Sequence, residues 1–117
     1  EPLTRQYPTN WKYPFKLAFG YYFKENKDKA ISLFELSYTR NPDNIWSIGF
    51  QALIKGEQGK VDEAILLCKQ ALEKEPNATA IHFLLAEAYR RKGDYLNAML
   101  ELMTVGRLKT EEAVSKK

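Results

Sequence analysis

Two segments of this chain fall on each other when one is moved by 34 residues. Ala-Ile-Ser-Leu-Phe-Glu-Leu-Ser-Tyr-Thr-Arg-Asn-Pro-Asp ends at Asp43, and Ala-Ile-Leu-Leu-Cys-Lys-Gln-Ala-Leu-Glu-Lys-Glu-Pro-Asn ends at Asn77. The shift lays Ala30 over Ala64 and Pro42 over Pro76, and a second shift brings Ala98 into line. Three units follow without insertion or deletion: 11–44, 45–78 and 79–112. A fixed period of this length marks a repeat array, in which each unit is too small to bury its own apolar face and stacks on its neighbours. Three units are about the fewest that stand alone.

Within each unit the pattern is helical. Ile31, Phe34 and Tyr38 recur at the spacing of one helix face, as do Ile65, Cys68 and Leu72, and then Ala98, Leu102 and Val105. Gln-Gly-Lys-Val at 58–61 and Lys-Gly-Asp-Tyr at 92–95 pair a helix-ending glycine with a restart. Asn-Pro-Asp-Asn at 41–44 and Glu-Pro-Asn-Ala at 75–78 are helix stops. Pro14 fits a helix only within its first turn, where the missing N–H has no intrahelical partner. The expectation is an all-α stack of antiparallel helix hairpins, with β-hairpin signals missing. Residues 1–10, with Pro2 and Pro8, read as an irregular lead-in, and 113–117 as the start of a capping helix or a further repeat.

The equivalent positions resemble the tetratricopeptide repeat across residues 11–112. Its small residue in the first helix matches Ala18, Ala52 and Ala86, and its partner in the second matches Ala30, Ala64 and Ala98. The large apolar site is filled by Phe34, Cys68 and Leu102, and the next small site by Ser37, Ala71 and Val105. Departures are Lys55 at the site of Tyr21 and Tyr89, Glu25 at the site of Gly59 and Gly93, and Thr110 at the site of Pro42 and Pro76. The resemblance implies a right-handed superhelical α-solenoid and a non-enzymatic scaffold or adaptor that binds protein. It further implies a concave groove lined by the first helices.

Mapped onto this chain, that groove would draw Phe15, Lys16, Phe19, Tyr22 and Phe23 from the first unit. Trp46, Gly49, Phe50 and Leu53 would come from the second. Ala80, Phe83 and Leu84, then Glu87, Arg90 and Arg91, would come from the third. Relatives that clamp the C-terminal carboxylate of heat-shock proteins use Lys, Asn and Arg side chains there. The matching positions hold Phe15, Phe19, Phe50, Ala80 and Leu84, all apolar, which leaves a carboxylate without a charge-assisted partner. A heat-shock clamp is therefore not expected. An aromatic trough for the apolar side chains of a peptide or helix is. The same rings have a second reading, as packing within the array or as a surface covered by a further C-terminal helix of the chain or by another copy. A homo-oligomer could form through this aromatic surface or through the open C-terminal end of the stack.

Other function classes find little support. Net charge is +3, from 18 basic and 15 acidic residues spread along the chain, with Arg90, Arg91 and Lys92 as the one local cluster. That cluster suits a helix C-terminus, or an acidic partner segment. Nucleic-acid binding by a related helical repeat remains the remote alternative; the 34-residue phase and apolar groove count against it. One cysteine, Cys68, and one histidine, His82, fall in separate units at packing positions, so no catalytic dyad or zinc set is supported, and no cofactor is expected. Gly56-Glu-Gln-Gly59 lacks the Gly-Lys-Ser/Thr ending of a phosphate loop. Asn77-Ala78-Thr79 is a glycosylation triplet with no other sign of secretion. No stretch reaches the length needed to insert into a bilayer. Unpaired cysteine usage leans toward the cytoplasm. The opening at Glu1 suggests a piece of a longer, or membrane-tethered, protein.

Overall fold

The computed structural model describes residues 10–115; the expected lead-in at 1–10, apart from Asn10, and the last two residues lie outside them. Six α-helices follow one another: α1 (Lys12–Phe23), α2 (Lys27–Arg40), α3 (Ile45–Glu57), α4 (Val61–Lys74), α5 (Thr79–Lys92) and α6 (Tyr95–Ser115). Among the described residues there is no strand. Each helix packs on the next, and α3 also packs on α5. The chain is a stack of three helix hairpins, α1/α2, α3/α4 and α5/α6.

The turn inside each hairpin repeats with the period of the sequence. Glu25, Gly59 and Gly93 all hold positive φ, at 65°, 83° and 88°. After each, a backbone N–H reaches back over the helix end: Asn26 to the Tyr21 carbonyl, Lys60 to Lys55, and Asp94 to Tyr89, each at 2.9 Å. This is a Schellman cap, which satisfies carbonyls that have no intrahelical donor. Glycine suits the left-handed residue for want of a Cβ. Glu25 adopts the same conformation because the hairpin on either side demands it.

Helix starts are capped by side chains in three cases. Asn26 accepts from the Lys29 N–H at 3.3 Å, and Asn44 from the Trp46 N–H at 3.2 Å. The third is Asp94, which accepts from the Asn97 N–H at the start of α6 at 3.2 Å. At α4 no side chain caps the end, but Asp62 and Glu63 set negative charge against the helix N-terminus. The ends of α2 and α4 fall just before Pro42 and Pro76. Thr110 removes that stop in the third unit, and α6 runs 21 residues where α2 and α4 run 14. Residues 113–115 thus continue α6.

Ala18, Ala30, Ala52, Ala64, Ala86 and Ala98 are buried where paired helices cross. Between the first two units Phe34, Ile31 and Ile54 close over Ala18 and Ala30. Ile48, Cys68, Ile81 and Leu85 form the larger core of the second and third units. Gly49, mapped above to the groove, is instead buried: a Cβ there would meet Ile81 Cδ1 at 3.0 Å, so its hydrogen allows α5 to approach α3. His82 sits between two acceptors, the Glu101 carboxylate and the Pro76 carbonyl, at 2.7 Å each. It is a packing residue tied in place. Leu102 departs from expectation. Its equivalents Phe34 and Cys68 are each 1 % exposed, whereas Leu102 is 50 % exposed. In the first two units the following hairpin covers that site; no described residue follows α6 to cover it in the third.

Candidate protein-interaction face

The first helices place their aromatic residues side by side across the first junction. Phe15 and Phe19 are one turn apart on α1, and both rings reach Phe50 of α3, at 6.0 and 4.8 Å between centroids. Phe34 of α2 completes the group, lying 5.5 Å from Phe15, 5.2 Å from Phe19 and 5.4 Å from Phe50. Trp11 and Trp46 extend it at either side through Phe15 and Phe50. Most of these pairs meet edge to face, the arrangement that sets positive ring edges against negative ring faces. Phe15, Phe19 and Phe50 are accordingly half-buried, with much of their surface engaged by one another.

What is left for a partner is narrower than the sequence mapping. Phe23, 74 % exposed, stands on one rim, and Trp46 and Phe83 are exposed farther along. Below Phe23 lies a pocket of about 110 Å³, walled by Phe19, Tyr22, Phe34, Phe50 and Leu53. The Tyr22 hydroxyl, its one polar feature, is turned away to donate to the Glu57 carboxylate at 2.9 Å. That hydrogen bond raises the Tyr22 pKa above its ordinary value, with burial adding to the shift. Leu53 and Leu84 are half-buried and line a second, smaller hollow beside Gly56 and Ala88.

The charged residues that the third unit brings to the face are engaged within the chain. Arg90 binds Glu87 through two nitrogens, and this hydrogen bonding holds the Glu87 carboxyl below its usual range. Arg91 Nη1 donates to the Gly56 carbonyl at the end of α3, 2.8 Å away. Lys92 pairs with Asp62 at 2.8 Å. Two members of the local basic cluster thus tie the third hairpin to the second, and the remaining one pairs on its own helix. The three-residue spacing of Glu87 and Arg90 is that of neighbours on one helix face, whereas the partners of Arg91 and Lys92 in the second hairpin left no sign in the sequence.

A second apolar surface lies at the open C-terminal end, which the sequence reading offers for stacking on another copy without naming its residues. At the open end of the stack, Phe83, Ala86, Tyr95, Ala98, Met99 and Leu102 line a hollow of about 360 Å³, with Glu87 and Arg90 at its edge. A signal for it was available: Leu96 and Met103 of α6 replace Asp28 and Glu35 of α2, and Asp62 and Lys69 of α4. Among the described residues, no group of His, Cys, Asp and Glu is placed to hold a metal ion, and no helix is long and apolar enough to cross a membrane.

Known proteins share this architecture. The family model for the tetratricopeptide repeat matches residues 57–114. A TPR repeat-containing thioredoxin, TTL4 of Arabidopsis thaliana, is 28 % identical over 85 residues. That match takes in 73 % of this chain but 12 % of the relative, so the chain spans about an eighth of the relative's length. The second TPR domain of Spaghetti (RPAP3), solved bound to the HSP90 peptide SRMEEVD, superposes with a TM-score of 0.82 at 17 % identity. It is covered over 97 % of its length by 90 % of this chain. A point mutant of the MamA protein superposes with a TM-score of 0.74 at 26 % identity, over 85 % of this chain and 72 % of that one. The yeast Sti1 TPR2AB domain in its HSP90-peptide complex gives 0.84 at 19 % identity, over 94 % of this chain and 44 % of that one. With three units in phase and six helices paired in that phase, the chain belongs to the tetratricopeptide-repeat family.

Proposed function

We propose that this chain is a non-catalytic protein-interaction module whose ligand is an apolar peptide or amphipathic helix seated along α1 and α3. The observation that carries this reading is the pocket beneath Phe23, walled by aromatic and aliphatic side chains. Its natural occupant is one large apolar side chain, with Phe23 and Trp46 as exposed flanking contacts. Each such side chain buried contributes about 1.5–3 kcal/mol before the costs of ordering, enough for a weak to moderate complex from a few anchors. Solved relatives bound to heat-shock peptides share the fold, yet Phe15, Phe19, Phe50, Ala80 and Leu84 provide no cation or amide for a carboxylate. The reading is therefore of an apolar ligand, distinct from that of SRMEEVD.

The test is a fluorescence titration of Trp46 with amphipathic helical peptides selected by display on the chain, run beside SRMEEVD. The selected peptides are expected to bind, Leu53→Glu to weaken them about tenfold or more, and SRMEEVD to leave the signal flat. Micromolar binding of SRMEEVD, or selected peptides indifferent to Leu53→Glu, would remove this face from consideration. Phe19 and Phe50 are poor probes, because their rings hold the first junction together.

A further inference from the structure

The hollow at the open end of the stack is half of a junction that the chain builds completely elsewhere. Between the second and third hairpins a hollow is lined by Ala52, Leu53, Gly56 and Ala64 on one side, and by Leu84, Glu87, Ala88 and Arg91 on the other. Moved on by 34 residues, the first four become Ala86, Glu87, Arg90 and Ala98, all of which line the open hollow. The missing half would come from a helix equivalent to α5. Moved back through the repeats, its residues are Lys16, Phe19, Gly20 and Phe23 of α1. Of these, Lys16, Gly20 and Phe23 are exposed, because no described hairpin precedes the first.

We propose that the chain assembles head to tail, α1 and α2 of one copy packing on the open face of α5 and α6 of another with the same 34-residue step that relates its own hairpins.

Two sets of residues favour a second copy over an unrelated helix. The first is a charge match. Phe50 packs on Phe15 and Phe19, and its equivalent Leu84 packs beside Gly49 and Leu53. One step on, the receiving pair is Phe83 and Glu87, and the incoming residue is Lys16. Its methylene stem lies over the ring and its ammonium reaches the Glu87 carboxylate, which it shares with Arg90. The second is a matched change of polarity. A hollow between the first and second hairpins is lined by polar residues from both, among them Glu35, Gln51 and Gln70. At the ends of the molecule the equivalents are Met103 on the tail and Leu17 and Leu36 on the head, all exposed. Three polar positions have become apolar on both sides of the same contact.

Burial follows the same rule. Ile31 and Ile65, at the internal junctions, are 7 % and 8 % exposed, and their equivalent Met99 is 54 % exposed. A following unit of this chain in the same phase would open at position 113, but α6 continues as one helix through Ser115. Because head and tail are different surfaces, the contact is heterologous and does not close on itself in pairs: copies add in a row.

Sedimentation velocity of the 117-residue chain over a wide concentration range tests this. Growth past a dimer is expected for the wild type. Leu17→Glu on the head or Leu102→Glu on the tail is expected to weaken association about tenfold or more, with helicity unchanged. Lys16→Glu, at an exposed site, serves as a second head variant should Leu17→Glu disturb α1. The decisive sample is an equimolar mixture of a head variant and Leu102→Glu. Each retains one intact end, so the mixture should form one-to-one dimers and stop there. A wild type that stays monomeric throughout, variants that assemble normally, or a mixture that does not pair would each overturn the proposal. Neither Leu17 nor Leu102 touches the pocket beneath Phe23, so peptide binding by these variants reports separately on the proposed function.

Discussion

Glu25 holds a backbone conformation that its two equivalents give to glycine, and the cost of that is measurable. A left-handed conformation costs an L-residue about 1–2 kcal/mol, part of which glycine returns as lost backbone freedom. Glu25→Gly is therefore expected to raise unfolding free energy by about 0.5–1 kcal/mol in urea titrations. A loss of stability would show that the Glu25 side chain contributes more than its backbone costs. Cys68 offers a second residue-scale check. Burial pushes its thiol up to about 12, so it should resist thiol reagents at mildly alkaline pH until the chain unfolds. Since its folded pKa lies above the ordinary 9.0, this contribution to stability is complete below that pH and declines as pH rises toward 12. Wild-type stability should consequently fall more steeply than that of Cys68→Ala as pH rises above 9.0, in parallel urea titrations. The sequence showed Cys68 on an apolar helix face and Gly59 and Gly93 at turns. It could not show that Glu25 follows the glycines, because its side chain argues for another conformation and only the surrounding hairpin overrules it.

Helix packing in this chain is governed by what stands at a few repeated sites. Phe34, Cys68 and Leu102 occupy one such site, and only the first two are covered. Phe34→Ala should cost about 3–5 kcal/mol through the cavity it leaves, while Leu102→Ala in the monomer should cost under about 1 kcal/mol. Equal losses would mean that the tail face is covered in the monomer. Gly49 controls the spacing of α3 and α5. Gly49→Val drives a branched side chain into Ile81 and should cost about 1–3 kcal/mol, with partial recovery on adding Ile81→Val. The six helices and their pairing were legible because small residues, glycine turns and prolines recur in step. The reach of α6 was less so: Thr110 marked a missing stop, but periodicity alone does not say how far a helix continues once its proline is gone. Nor does helical spacing tell how much of a ring its neighbours will cover. Phe15, Phe19 and Phe50 share one face in the pattern, yet they are large enough to meet across the junction and cover one another.

At the scale of the molecule, pairs crossing from hairpin to hairpin hold the stack in register. Tyr22 reaches Glu57, and one period later Arg91 reaches Gly56. Gln58 reaches Asp28, and one period later Lys92 reaches Asp62. These contacts explain why the basic cluster of α5 is a poor footprint for an acidic ligand. They also leave two apolar surfaces, the pocket beneath Phe23 on the side of the stack and the hollow at its open end. The central claim is that the side surface holds a foreign peptide. The most direct measurement is the dissociation constant of one display-selected amphipathic peptide for Leu53→Glu and for Leu102→Glu, at protein concentrations where both are monomeric. Loss of binding in Leu53→Glu with wild-type affinity in Leu102→Glu is the expected result. The reverse pattern, binding intact in Leu53→Glu and lost in Leu102→Glu, would contradict it and move the peptide site to the end of the stack.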